Sequence, residues 1–144
     1  FDARDSGSAN DYLPHNYIEN CVAYTGTHDN ETLVGWFDAI SKEEQAMARD
    51  YLCDRHTPKK YLYKSFIALA MRSRAKSCII PMQDWLGLDN STRINKPSTV
   101  GINWRWRAVS EQFGEEMAED ILSATKRYGR MNWKNDCKTG NASV

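Results

Sequence analysis

Apolar positions along this chain fall into separate blocks, and their spacing differs from block to block. Cys21-Val22-Ala23-Tyr24-Thr25 mixes β-branched and aromatic side chains before a glycine, which predicts a short strand over residues 21 to 27. A helix is predicted to start at Ser41. Ser41 and Glu44 fit a capping box, in which the hydroxyl accepts from an orphan amide and the carboxylate reaches back. Met47, Tyr51 and Leu52 then share a face, and Pro58 ends or follows the helix. A second helix is expected from about Lys60 to Lys76. Its residues Leu62, Tyr63, Phe66, Ile67, Leu69 and Ala70 cover a face broad enough for deep packing. Arg72, Arg74 and Lys76 would occupy its last turn, where cations suit the helix dipole. Cys78-Ile79-Ile80-Pro81-Met82 follows, and an apolar run after a helix reads as a parallel strand buried on both faces. A third helix carries Phe113, Met117, Ile121, Ala124 and Tyr128 in register, with Gly129 as its stop.

The polar stretches between these blocks are equally informative. Residues 1 to 20 have loop composition, with a proline-stiffened segment at Leu13-Pro14-His15-Asn16-Tyr17. No period is visible from Gln83 to Trp106. A structureless stretch of that length is functional or disordered, and its tryptophans and arginines argue against disorder. Residues 129 to 144 are polar and predict a frayed, disordered tail after a body spanning residues 1 to 128. The order strand, helix, helix, strand, long loop, helix is a βαβα pattern and implies a parallel α/β architecture. Two parallel strands cannot pair their own edges or cover both faces, so the pattern predicts a piece of a larger fold.

Composition narrows the function. The 144 residues suit one domain, with 19 basic and 19 acidic side chains in balance. No basic stripe suggests a nucleic-acid partner, and no apolar run approaches the roughly 18 residues of a membrane helix. The chain opens on Phe1 with no signal-peptide pattern, and the missing Met again predicts a fragment or excised piece. Cys21, Cys53, Cys78 and Cys137 are scattered without metal-ligand spacing, as expected of free thiols in a reducing cytoplasm. Aromatic side chains placed in predicted loops have the look of a carbohydrate site.

The candidate chemistry lies in Tyr24-Thr25-Gly26-Thr27-His28-Asp29-Asn30. Here a β-prone run breaks into a glycine turn that presents His28 and Asp29 side by side. In parallel α/β folds, functional side chains sit where strands end. A carboxylate beside an imidazole there is suited to binding a polar substrate or steadying a cation. Spacing alone better fits a strand-end pair that caps a helix or binds water.

Further motifs follow in order: Leu13-Pro14-His15-Asn16-Tyr17, the Tyr24 to Asn30 segment, Gln83-Asp84-x-Leu86-Gly87-Leu88, Arg93-Ile94-Asn95-x-Pro97, and Gly101-x-Asn103-Trp104-x-Trp106-Arg107. Together they resemble the C-terminal part of the 4-α-glucanotransferase (amylomaltase, or disproportionating enzyme) family, glycoside hydrolase family seventy-seven, over about residues 1 to 128. The resemblance implies a (β/α)8 barrel. The Val22 region would be its seventh strand, Cys78 to Met82 its eighth, and the last helix the closing one. It implies transfer of α-1,4-glucan segments between maltooligosaccharides with retained configuration, and no cofactor or metal. The chain departs from the family at Glu31, where Asp is more usual. The family's nucleophilic Asp and acid/base Glu have no counterpart in this chain, so it is expected to be inactive alone and to need the N-terminal part of the same barrel.

On that resemblance, Asp29 is expected to be the third carboxylate, a transition-state stabiliser, with His28 donating to the same sugar. Asn30, Gln83, Asp84, Asn95, Asn103 and Trp104 are the further candidates for substrate binding. Gln83 and Asp84 fit either sugar contact and orientation of Asp29, or a loop-closing polar pair. Arg93 fits a loop anchor that pairs with a carboxylate, and Asn95 fits a glucan contact. Trp104 and Trp106 fit stacking on glucose faces, with core packing the better expectation for at least one. His15 and Asn16 fit the cleft wall or ordinary solvated positions. Two other readings compete with the transferase: a related α-glucan hydrolase or debranching enzyme, and a non-catalytic glucan-binding or interaction fragment.

Overall fold

The computed structural model describes residues 9 to 131; the predicted tail from residue 132 onward and residues 1 to 8 lie outside them. Two strands, β1 (Val22–Tyr24) and β2 (Ser77–Ile79), pair in parallel with Val22 opposite Ser77, Ala23 opposite Cys78 and Tyr24 opposite Ile79. Between them come α1 (Leu33–Ala39), α2 (Lys42–Leu52) and α3 (Leu62–Met71), and after β2 come α4 (Met82–Trp85) and α5 (Glu115–Arg127). The parallel α/β order expected from the sequence is therefore present.

The helix α3 is the centre of the core. Leu62, Phe66, Ile67, Leu69, Ala70 and Met71 are buried along it, and each large side chain among them contributes about 1.5–3 kcal/mol on burial. Helix α1 packs across it through Trp36, whose ring meets Phe66 edge-on at 5.3 Å. Helix α2 is held at its start by the expected capping box. Ser41 Oγ accepts from Glu44 N at 3.2 Å, and Glu44 Oε2 accepts from Ser41 N at 2.8 Å. It ends at Leu52 where Cys53 turns left-handed, several residues before Pro58.

Two expectations are corrected. Helix α3 stops at Met71, so Arg72, Arg74 and Lys76 lie beyond its last turn. The carbonyls there are gripped instead by Arg130, which donates to Met71 O, Ser73 O and Ala75 O at 2.6–3.0 Å. Strand β2 is covered on one face only. Ala23 is buried and Cys78 packs against the core, while Val22, Tyr24 and Ile79 point away from it and are exposed. Burial raises the Cys78 thiol above its ordinary range, against an opposing pull from Arg130.

Residues 31 to 40, given no element by the sequence pattern, hold α1. It is short and contains glycine and aromatic residues, all poor helix formers in isolation. A local cap and a tertiary contact make it: Thr32 Oγ1 accepts from Gly35 N at 3.1 Å, and Asn90 packs so closely on Gly35 that a Cβ there would lie 2.1 Å from Asn90 Cγ. Helix α4 is a single turn entered through Pro81; it takes Met82 from the end of the expected second strand and Gln83 to Trp85 from the start of the aperiodic stretch. No helix among the described residues is long and apolar enough to cross a membrane.

Candidate functional site

Both strands end on the same side of the molecule because they run parallel. After β1 the chain turns through Thr25 and Gly26. The next turn is closed by Asn30, whose Oδ1 accepts from both the amide and the hydroxyl of Thr27 at 2.8 Å. That bond uses Asn30's side-chain carbonyl to hold the turn. A Cβ at Gly26 would sit 3.3 Å from Asn30 Cβ, a tight contact that favours glycine here. The turn projects His28 and Asp29 outward. Their side chains are 54% and 48% exposed, with His28 Nε2 3.3 Å from Asp29 Oδ1.

After β2 the chain enters α4, and here the polar side chains point inward. Asp84 is 2% exposed. Its Oδ1 accepts from Leu33 N at 2.8 Å and its Oδ2 from Thr25 Oγ1 at 2.6 Å. One carboxylate therefore ties the end of β1 to the first turn of α1. Burial raises the Asp84 carboxyl above its usual range, and the two donors only partly offset this. Gln83 is 3% exposed and donates to Thr92 O at 3.2 Å. In this conformation both side chains lie beneath the surface, as a loop-closing pair.

The aperiodic segment after α4 returns to the outward pair and grips it. The Arg93 guanidinium donates to Asp29 O at 2.7 Å and to Asn95 O at 2.9 Å, and stands 3.8 Å from Glu31 Oε1. Asn95 N donates to His28 O at 3.1 Å, and Asn95 Nδ2 donates to Asp29 Oδ1 at 2.6 Å. Among the described residues, Asp29 Oδ2 has no hydrogen-bond partner. Trp104 comes back over His28, with ring centroids 5.1 Å apart, while its own amide donates to Ile94 O at 2.7 Å. Asn103 lies within the same loop. Its Oδ1 accepts from Lys96 N at 3.0 Å and its Nδ2 donates to Thr99 O at 2.9 Å, so its side chain staples residues 96 to 103.

Of the predicted residues, His28, Asp29, Asn95 and Trp104 come together at one exposed spot. Asn30, Gln83, Asp84 and Asn103 spend their polar atoms on the frame around it. Neither tryptophan of the loop is buried: Trp104 is 56% exposed and Trp106 is half-buried. His15 Nδ1 lies 2.7 Å from the Tyr51 hydroxyl, on the flank of α2. A residue the sequence did not single out is Asn90. It donates to Glu31 Oε1 at 2.9 Å and accepts from Thr32 N at 3.2 Å, locking the segment just after Asp29. Nothing in Asp89-Asn90-Ser91 marks it beyond ordinary loop composition.

Beside this cluster opens a cleft of about 590 Å³, with Tyr12, Tyr17, Tyr24, Asp29, Glu31 and Arg93 among its lining. Mixed aromatic and polar walls of this size suit a sugar-sized ligand. Among the described residues, no three His, Cys, Asp or Glu side chains are arranged to hold a metal ion.

A family profile described as 4-alpha-glucanotransferase matches residues 1–111. The chain is 48% identical over 124 residues to a 4-alpha-glucanotransferase of Clostridium butyricum, covering 85% of this chain and 25% of that protein. It is 38% identical over 129 residues to the chloroplastic/amyloplastic 4-alpha-glucanotransferase of Solanum tuberosum, covering 88% and 22%. Among solved structures, the amylomaltase from Streptococcus agalactiae in complex with acarbose superposes with a TM-score of 0.82 at 34% identity, covering 89% of this chain and 26% of that one. The chain thus spans about a quarter of the length of the relatives it matches.

Proposed function

The chain belongs to the 4-alpha-glucanotransferase family, and from that premise we propose that it is the part of such an enzyme that stabilises the transition state of glucan transfer. It supplies Asp29 and the frame that aims it. The nucleophile and the acid/base come from the rest of the protein, so residues 1 to 144 alone turn nothing over. The enclosing fold is a (β/α)8 barrel in which β1 and β2 are the seventh and eighth strands. The parallel pairing, the helices on one face only, and the exposed Val22, Tyr24 and Ile79 on the other support that placement. So does the gathering of functional side chains at the C-terminal ends of both strands.

The observation that carries the reading is the state of Asp29: a cleft-lining carboxylate with one oxygen held and the other without a hydrogen-bond partner among the described residues, at a strand end beside an imidazole. Retaining glycosyl transfer passes through an oxocarbenium-like state with a flattened, cationic ring. A fixed anion whose bonds to the sugar hydroxyls tighten as that charge develops lowers the barrier without tightening the ground state. His28, seated against Trp104, adds a second polar contact to the same sugar. α-1,4-Glucans are the substrate, and no cofactor takes part. The free thiols at Cys21, Cys53 and Cys78 support a reducing compartment such as the cytoplasm.

Product analysis on maltotriose with the full-length protein tests this. Glucose together with longer glucans is expected. Glucose and maltose alone would contradict transfer and favour the hydrolase reading.

A further inference from the structure

We propose that Asn95 is a positioning residue for Asp29, acting through the carboxylate and not by contact with glucan. The inference rests on the transition-state role proposed for Asp29. Three links fix the two backbones relative to each other: Arg93 bonds Asp29 O and Asn95 O with one guanidinium, and Asn95 N bonds His28 O. The side chains then meet at 2.6 Å, amide to Oδ1. With both main chains held, that contact is the shorter of two on Oδ1, the other being His28 Nε2 at 3.3 Å, and it holds how the Asp29 carboxylate is turned. It leaves Oδ2 without a partner among the described residues, on a residue that lines the cleft.

The donor type matters as much as the distance. A neutral amide orients a carboxylate without cancelling its charge. A lysine or arginine at the same place would orient it and neutralise it, weakening its pull on a developing cation. The loop's own guanidinium is kept off the carboxylate, bonding the Asp29 carbonyl instead. Asn103 and Trp104 hold the loop so that Asn95 stays in reach: the first staples Lys96 to Thr99, and the second ties Ile94 and covers His28.

The test uses the full-length transferase that contains this segment, with maltotriose as substrate. Asn95→Ala is expected to lower kcat by about 100-fold, the scale of a misplaced reacting group, with KM changed less than about 3-fold. Asn95→Asp keeps the side chain's volume and sets two carboxylates against each other, so its loss of kcat should be at least as large. In the background of Asp29→Asn, the additional loss on Asn95→Ala should shrink below about 3-fold, because the group it positions is gone. Binding of acarbose, whose unsaturated ring is flattened, should weaken in Asn95→Ala in step with kcat/KM, while maltotriose binding holds. A raised KM at unchanged kcat would mean that Asn95 binds sugar directly and would overturn the proposal. Additive losses in the double variant would overturn it too. If the wild-type protein disproportionates maltotriose and Asp29→Asn does not, while Asn95 variants are silent, only this inference fails. If Asp29→Asn is as active as wild type, the reading beneath it fails as well.

Discussion

Asp84 and Asp29 stand just past the ends of neighbouring parallel strands, and the fold treats them in opposite ways. Asp84 is sealed in, with both oxygens engaged by Leu33 N and Thr25 Oγ1. Asp29 is half-exposed, with one oxygen held by Asn95. The first holds the frame of the site and the second acts at its rim. A buried carboxylate with both oxygens engaged has no accessible acceptor to offer a substrate. An exposed carboxylate with no partner has no fixed direction. The site combines the two by placing the rigid group below and the working group above.

This contrast predicts a graded series. The largest effect on stability should come from Asp84→Ala, which leaves a buried amide and hydroxyl unpaired; a loss of about 3 kcal/mol is expected in denaturant titration of the full-length protein. A fall below about 1 kcal/mol would mean that the frame does not depend on Asp84. Next is Arg93→Ala, which frees two carbonyls and the contact to Glu31 at the partly exposed rim. It should cost about 1–2 kcal/mol and lower kcat, because Asp29 and Asn95 lose their shared clamp. Unchanged kcat would show that the clamp is irrelevant to turnover.

The smallest effect is the most diagnostic for the frame. Asp84→Asn keeps an acceptor for Leu33 N and lets Thr25 Oγ1 accept, so the change at neutral pH should be about 1 kcal/mol or less. Its pH dependence follows from the raised Asp84 carboxyl. The folded state holds that proton more tightly than the unfolded chain does. Wild-type stability relative to Asp84→Asn should therefore rise as pH falls through the folded-state value, and level off below the unfolded value near ~3.9. A pH-independent difference would place Asp84 in a solvated environment.

Much of this division was written in the sequence. The strand expected over residues 21 to 27 and found at Val22–Tyr24, the Ser41–Glu44 cap, the broad apolar face of α3 and the His28-Asp29 pair are local signals, and the structure has each of them. Helix α1 was not legible, because it is short and rich in poor helix formers, and Asn90, from a distant part of the chain, packs on Gly35 and bonds Thr32 N; the Thr32 cap on Gly35 N is a local signal that was not singled out. The inward turn of Asp84 was equally hidden. Sequence placed Gln83 and Asp84 at a strand end, and left open whether they face sugar or close a loop; the one-turn helix α4 aims them into the frame. For Asn95 the sequence marked the residue but not its partner. A contact between residues on separate loops has no signature in one chain's spacing.

The central claim is that the rim carboxylate works and the buried one supports. The most direct measurement is maltotriose disproportionation by full-length Asp29→Asn and Asp84→Asn, alongside their melting temperatures. The account predicts that Asp29→Asn loses about 10²–10³-fold in kcat at an unchanged melting temperature, while Asp84→Asn keeps turnover within about 10-fold. Asp29→Asn turning over at the wild-type rate, with Asp84→Asn inactive but stably folded, would contradict it.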